Sequence, residues 1–277
     1  MKNEVYCSTG TIVGRATGYD FSVIKTVLPS VCKNAGADGI EHVFITPFYD
    51  RLSDVRNTIL SSGLKCAVLH ADKSIGSLLS NVNAEDTEEA LRLFEINCTE
   101  AKNLGAERVV FHLWGMPASD RNFAANLDAM PKIMQIADRF GIELMIENIP
   151  SVASDPISRW RALEAFDCSF TYDVRFGQLH GQNDIIPCSN YLKSEKISHI
   201  HISDFGGETL DFSKIRPILH PGEGKVDFRS LFANLKNSGY SGTFTLESPV
   251  MYEDGLDPSK LERTLSWLCR EVERINV

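Results

Sequence analysis

Eight short apolar runs, each followed by a longer stretch with helical spacing, constrain the fold of this chain more than any single residue does. The runs are EVYCS (4–8), GIEHVF (39–44), LKCAVLH (64–70), RVVFHLW (108–114), IELMIEN (142–148), SFTYDV (169–174), ISHIHIS (197–203) and GTFTLES (242–248). Each is rich in β-branched or aromatic residues and bounded by Gly, Asp or Pro, as buried parallel strands are. Between them, residues 87–104 place Ala90, Leu91, Phe94, Cys98 and Ala101 at helical spacing, and Gly105 follows as a stop. The pattern recurs over 127–140, ending at Gly141 with Pro131 near the first turn, and over 228–235 after Asp227 as cap. A last helix opens on Asp257-Pro258, and another is expected around 190–196.

Strand–helix units repeated without linker or composition shift predict an α/β fold, a single (β/α)8 TIM barrel over residues 1–277. An open doubly wound sheet is the alternative. Its signature is missing, because Gly10, Gly14 and Gly18 after the first run have the wrong spacing for a dinucleotide loop. Segment 9–20 reads instead as a flexible loop over the barrel mouth.

The formal charge of −9 argues against a broad phosphate-binding face and so against a nucleic-acid partner. Seven scattered cysteines, an odd number without a CxxC, read as reduced thiols packed as small hydrophobes. MKNEVYCSTG has no basic segment leading into an apolar core, and no run approaches the roughly 20 apolar residues of a membrane span. A cytoplasmic location with no membrane partner is the expectation.

In such barrels chemistry gathers at the carboxyl ends of the strands. There the chain places His70, His112, Glu147, Asp173, His199, His201 and Glu247, with Asp204 just beyond the seventh run. A lone strand-end His is more often hydrogen-bonded core, and a lone Glu can simply be solvated. Their coincidence is harder to dismiss, because carboxylates converging on a barrel mouth repel unless a cation or proton intervenes. Three carboxylates with one imidazole suit Mn²⁺ or Mg²⁺, with Co²⁺ or Zn²⁺ also compatible. His199 and His201 share a face, His201 being nearer the mouth and the better ligand. His199 reads as support from a deeper layer, and Asp204 as a residue able to orient a ligand. Trp114 could stack on a sugar face or serve as a packing wall. Arg175 could bind phosphate or pair with a carboxylate.

The ordered pieces IENIP around Glu147, YD at Asp173, HIHISD at 199–204, PGEGKVDF at 221–228 and GYSGTFTLES ending in Glu247–Ser248 resemble the xylose isomerase-like TIM-barrel superfamily. That group holds sugar phosphate isomerases and epimerases and, more distantly, endonuclease IV. GIE at 39–41, His70 and His112 extend the likeness into the N-terminal half. The resemblance implies one divalent metal ion on Glu147, Asp173, His201 and Glu247, with both glutamates transferring protons through a metal-stabilised enediolate. Beside it, His70, His112, Trp114 and His180 are read as substrate contacts, and the resemblance implies a small sugar or polyol as partner and a homodimer or homotetramer.

Two departures bear on the substrate. Phe176 stands where the family commonly has a substrate-contacting His, with His180 as a substitute from the loop, and DFGGETLD (204–211) lacks the epimerases' Arg. Endonuclease IV chemistry is disfavoured by Phe176, by RPILHPGEG (216–224) and by the net charge. The expected function is therefore a metal-dependent sugar, sugar phosphate or polyol isomerase or epimerase. The alternatives are a metal-dependent lyase or dehydratase on a keto-sugar or keto-inositol, and a non-catalytic sugar-binding barrel.

Overall fold

The computed structural model describes residues 2–116, 118–183 and 196–276. Eight parallel strands close into a barrel in sequential order: β1 Val5–Ser8, β2 Gly39–Val43, β3 Cys66–His70, β4 Arg108–Phe111, β5 Glu143–Glu147, β6 Ser169–Asp173, β7 Ile197–Ile202 and β8 Thr243–Leu246. Closure is made by Val5, Tyr6 and Cys7 of β1 lying beside Phe244, Thr245 and Leu246 of β8. All eight expected strands are present, with trimmed ends. The largest difference is in β4, whose pairing with β5 stops at Phe111 opposite Ile146. His112 and Trp114 therefore lie past the strand, in a loop as buried and apolar as the strand itself.

The helices follow the sequence signals, with longer N-terminal turns. Ala84–Leu104 begins before Thr87 because the Asn83 side chain accepts the Asp86 N–H as a cap. Phe123–Phe140 begins before Leu127, so Pro131 lies inside the helix rather than in its first turn. Gly105 and Gly141 close these helices at φ +81° and +64°, the left-handed cap for which glycine carries no Cβ penalty. Phe228–Asn237 and Pro258–Ile275 carry Asp227 and Asp257 as side-chain caps. The helix expected around 190–196, apart from Lys196, and Cys188 fall outside the described residues. Every described cysteine is free and buried.

Segment 9–20 differs from expectation. It forms two short 3-10 turns, Thr9–Thr11 and Arg15–Thr17, and its first half is pinned down. Thr11 and Ile12 are fully buried, Thr9 Oγ1 accepts the Val43 N–H, and the Thr11 carbonyl accepts the Val250 N–H.

The main core lies between barrel and helices, as burial on both strand faces requires. A second, small cluster of Tyr6, Val68, Val110 and Met145 forms an apolar floor inside the barrel. Two residues further along β3, β4 and β5 come His70, His112 and Glu147, so the period of two that points the floor residues inward sends these three to the mouth above it. Among the described residues, no helix is long and apolar enough to cross a membrane.

Candidate metal centre

Four strand ends bring Glu147, Asp173, His201 and Glu247 together, one ligand atom from each lying within 4.8 Å of the others. His201 Nδ1 is 3.2 Å from Glu147 Oε1 and 3.5 Å from Glu247 Oε2. Glu147, Asp173 and His201 are buried, while the Glu247 side chain keeps 11% exposure. Asp173 is held with unusual economy. Its Oδ1 accepts the Phe176 N–H at 2.9 Å, capping the helix Val174–Leu179, and this leaves Oδ2 buried with no hydrogen-bond partner. The Asn148 side chain grips the backbone of the same residue, accepting its N–H at 2.6 Å and donating to its carbonyl at 3.1 Å.

The electrostatics are those of carboxylates and imidazoles crowded together out of water. Burial, opposed by Arg175 and reinforced by Glu147 and Glu247, pushes Asp173 up to about 6. At His201 burial works against the charged ring, but Glu247, Glu41 and Glu147 outweigh it and hold the pKa well above the ordinary range. At Glu147 burial acts upward, and His112 and His201 overcome it to hold the carboxyl well below its usual value. A buried polar atom without a hydrogen-bond partner calls for an explanation, and a divalent cation would supply one at Asp173 Oδ2. The donor set, three carboxylates and an imidazole, fits such an ion.

His70 and His112 stand at the edge of this cluster. Both Nε2 atoms face Glu147 Oε2, at 3.3 Å and 2.5 Å respectively, and the three residues together could also hold a metal. Burial drives His112 down to about 3. His70 Nδ1 is 3.0 Å from the Ala71 carbonyl.

The other expected site residues lie elsewhere. Trp114 is fully buried, its ring 5.5 Å from Phe123 and its indole N–H donating to the Pro150 carbonyl at 3.1 Å. His180 Nε2 accepts the Ser151 N–H at 3.2 Å beside the ring of Phe212. Asp204 touches no candidate ligand. Its carboxylate accepts the backbone N–H of Phe205, Gly222, Gly224 and Val226, tying down the loop that carries PGEGKV. Phe176 is buried beneath the Arg175 guanidinium, 4.1 Å from its ring centroid. Arg175 Nη1 donates to the Ile215 carbonyl, and Nη2 stays 3.8 Å from Asp173 Oδ2.

His199 lies one layer below His201, its Nε2 2.9 Å from Glu41 Oε2. Reading from the residues alone missed Glu41 and Asn148. The available signals were a lone carboxylate in the apolar run GIEHVF and the amide next to Glu147 in IEN.

The family described as xylose isomerase-like TIM barrel matches residues 29–271. An uncharacterized protein of Methanocaldococcus jannaschii, MJ1311, is 25% identical over 190 residues, a match spanning 61% of this chain and 61% of that relative's length. Among solved structures, D-allulose 3-epimerase from Methylomonas sp. in complex with D-allulose superimposes with a TM-score of 0.70 at 16% identity, covering 98% of this chain and 97% of that one. The IolI protein with a bound zinc atom gives 0.71 at 17%, covering 97% of each chain. The 3-keto-D-glucoside 4-epimerase YcjR from E. coli gives 0.65 at 17%, covering 97% of this chain and 100% of that one.

Proposed function

The chain belongs to the xylose isomerase-like TIM barrel family, and from that premise we propose that it is a divalent-metal-dependent isomerase or epimerase of a sugar or polyol. The observation that carries the proposal is the convergence of buried Glu147, Asp173 and His201 with Glu247, where Asp173 Oδ2 has no hydrogen-bond partner. Support comes also from similar folds whose names are those of sugar epimerases, and from one that holds zinc.

In this reading Glu147, Asp173, His201 and Glu247 hold the ion. Once bound, it supplies positive charge beside a substrate carbonyl and the neighbouring hydroxyl, where negative charge grows as the adjacent C–H loses its proton. The rest falls to the protein. Glu247, partly exposed and paired with His201 at 3.5 Å, is the carboxylate freer to take a proton from carbon. Glu147, braced by His112 and His201, serves the other face of the substrate. Its strand β5 is separated from β8 by two strands on one side of the ring and four on the other. Return of a proton to the same carbon from that opposite face inverts the centre, and return to the neighbouring carbon interconverts aldose and ketose.

The test is exchange of substrate C–H hydrogen in deuterated water, over a panel of sugars and polyols, with Mn²⁺, Mg²⁺, Co²⁺ or Zn²⁺ added. Glu147→Gln and Glu247→Gln are each expected to slow turnover by about 100-fold or more. Variants that keep their metal and the wild-type rate refute the acid–base roles. Products lighter by one water would reassign the reaction as an elimination.

A further inference from the structure

Beneath the candidate ligands a directed chain of hydrogen bonds climbs the barrel interior. Arg108 Nη1, at the start of β4, donates to Thr243 Oγ1 at 3.0 Å. Thr243 Oγ1 is 2.7 Å from His199 Nδ1, and His199 Nε2 is 2.9 Å from Glu41 Oε2. The same carboxylate oxygen lies 3.2 Å from His201 Nε2. Glu41, His199 and His201 are fully buried.

The two ends of the chain set its polarity. A guanidinium only donates and an ionised carboxylate only accepts. Thr243 therefore takes the Arg108 proton on its oxygen lone pair and passes its own hydroxyl proton to His199 Nδ1. A ring that accepts at Nδ1 carries its proton on Nε2, which is the atom facing Glu41. His201 meets the same carboxylate through its own Nε2 and so donates there too. Its Nδ1 faces Glu147 and Glu247, donating to them while the ring is charged and offering its lone pair once a cation takes that proton's place.

The strand geometry is bent to allow this. The pairing of β2 with β3 changes register between Ile40 and Glu41, and that of β6 with β7 changes between Phe170 and Thr171, where Thr171 pairs with His199. Register shifts of this kind re-aim side chains, and both occur at members of the chain.

We infer that Glu41, oriented by Arg108, Thr243 and His199, is the positioning residue that keeps the His201 proton on Nε2 and turns Nδ1 toward the divalent-ion site. The inference rests on the metal reading given above. Glu41 acts as a support in this scheme through Oε2, which faces both ring Nε2 atoms, while its buried Oε1 has no hydrogen-bond partner and lies 3.2 Å from His201 Nε2. Partners of this kind fix the tautomer and the ring plane of a metal-bound imidazole, and losing one typically weakens metal affinity about 10–100-fold.

Zinc affinity, measured on the full-length protein by competition with a chromogenic chelator, tests the chain. Glu41→Gln puts an amide N–H₂ among two N–H donors and is expected to weaken zinc binding about 10–100-fold. Thr243→Val cuts the chain from below, leaves Glu41 and all four candidate ligands in place, and is expected to cost several-fold. Circular dichroism confirms that each variant is folded. Should Glu41→Gln fail to fold, Thr243→Val carries the affinity test.

Long-range ¹H–¹⁵N correlation spectra of the zinc-loaded wild type need no variant. They are expected to show His199 and His201 protonated at Nε2 and His201 ligated through Nδ1. Wild-type zinc affinity in the folded variants, or a proton on His199 Nδ1, overturns the inference while leaving the metal site standing. A wild-type protein that takes up none of the four ions overturns the metal reading and this inference with it.

Discussion

Asn148 clasps Asp173 through both backbone groups, its Oδ1 taking the N–H at 2.6 Å and its Nδ2 giving to the carbonyl at 3.1 Å. The grip holds Asp173 where Oδ1 caps a helix and the side chain joins the candidate ligand cluster. Asn148→Ala leaves two buried backbone groups unpaired, so it is expected to lower unfolding stability by about 1–3 kcal/mol. Zinc affinity should fall as well, since the ligand loses its anchor. Urea titration and chelator competition measure the two effects separately. Wild-type values in both would show that the clasp does not position Asp173.

The raised pKa of Asp173 predicts opposite pH trends for stability and for metal uptake. Folding moves it from an ordinary value of 3.8 to about 6, chiefly through burial. The native state therefore holds a proton that the unfolded chain has released between those values. Its contribution to stability is fully present below pH ~4 and is lost as pH rises through ~6, a change of about 3 kcal/mol at ~1.4 kcal/mol per pKa unit. Metal binding needs the carboxylate, so affinity should weaken as pH falls below ~6. The difference in unfolding free energy between metal-free wild type and Asp173→Asn, followed from pH 4 to pH 7, isolates this group. Parallel curves would contradict the assignment.

Trp114 donates to the Pro150 carbonyl and packs edge-on against Phe123, away from the four candidate ligands. Trp114→Phe keeps an aromatic wall but leaves that carbonyl without its donor. A loss of about 1 kcal/mol is expected, with the Michaelis constant changed less than about twofold. A tenfold rise in the Michaelis constant at unchanged stability would instead put the indole in contact with substrate.

The residues that converge on the mouth were legible because the strand period and the order of the runs act on them directly. Glu147, Asp173, His201 and Glu247 each lie within two residues of the end of a run, and parallel strands of a closed barrel deliver such ends to one rim. Glu41 was obscured for the opposite reason. It sits mid-run among apolar residues, and its partners His199 and His201 are 158 and 160 positions away. The end of β4 was overestimated because burial continues through His112, Leu113 and Trp114 after backbone pairing has stopped at Phe111. Composition reports burial, whereas strand length depends on pairing. Asp204 was misjudged in a related way. Its position beside HIHIS suggested a role at the ligands, but the backbone N–H groups of Gly222, Gly224 and Val226 take its carboxylate.

The supports under His201 come from β2, β4, β7 and β8, and none belongs to a loop above the rim. Cradle and canopy are thus separable parts of the molecule. Changes confined to the loops above the rim leave untouched the strand residues that aim the imidazole. For an engineer the same separation marks where to graft and where to leave the chain alone.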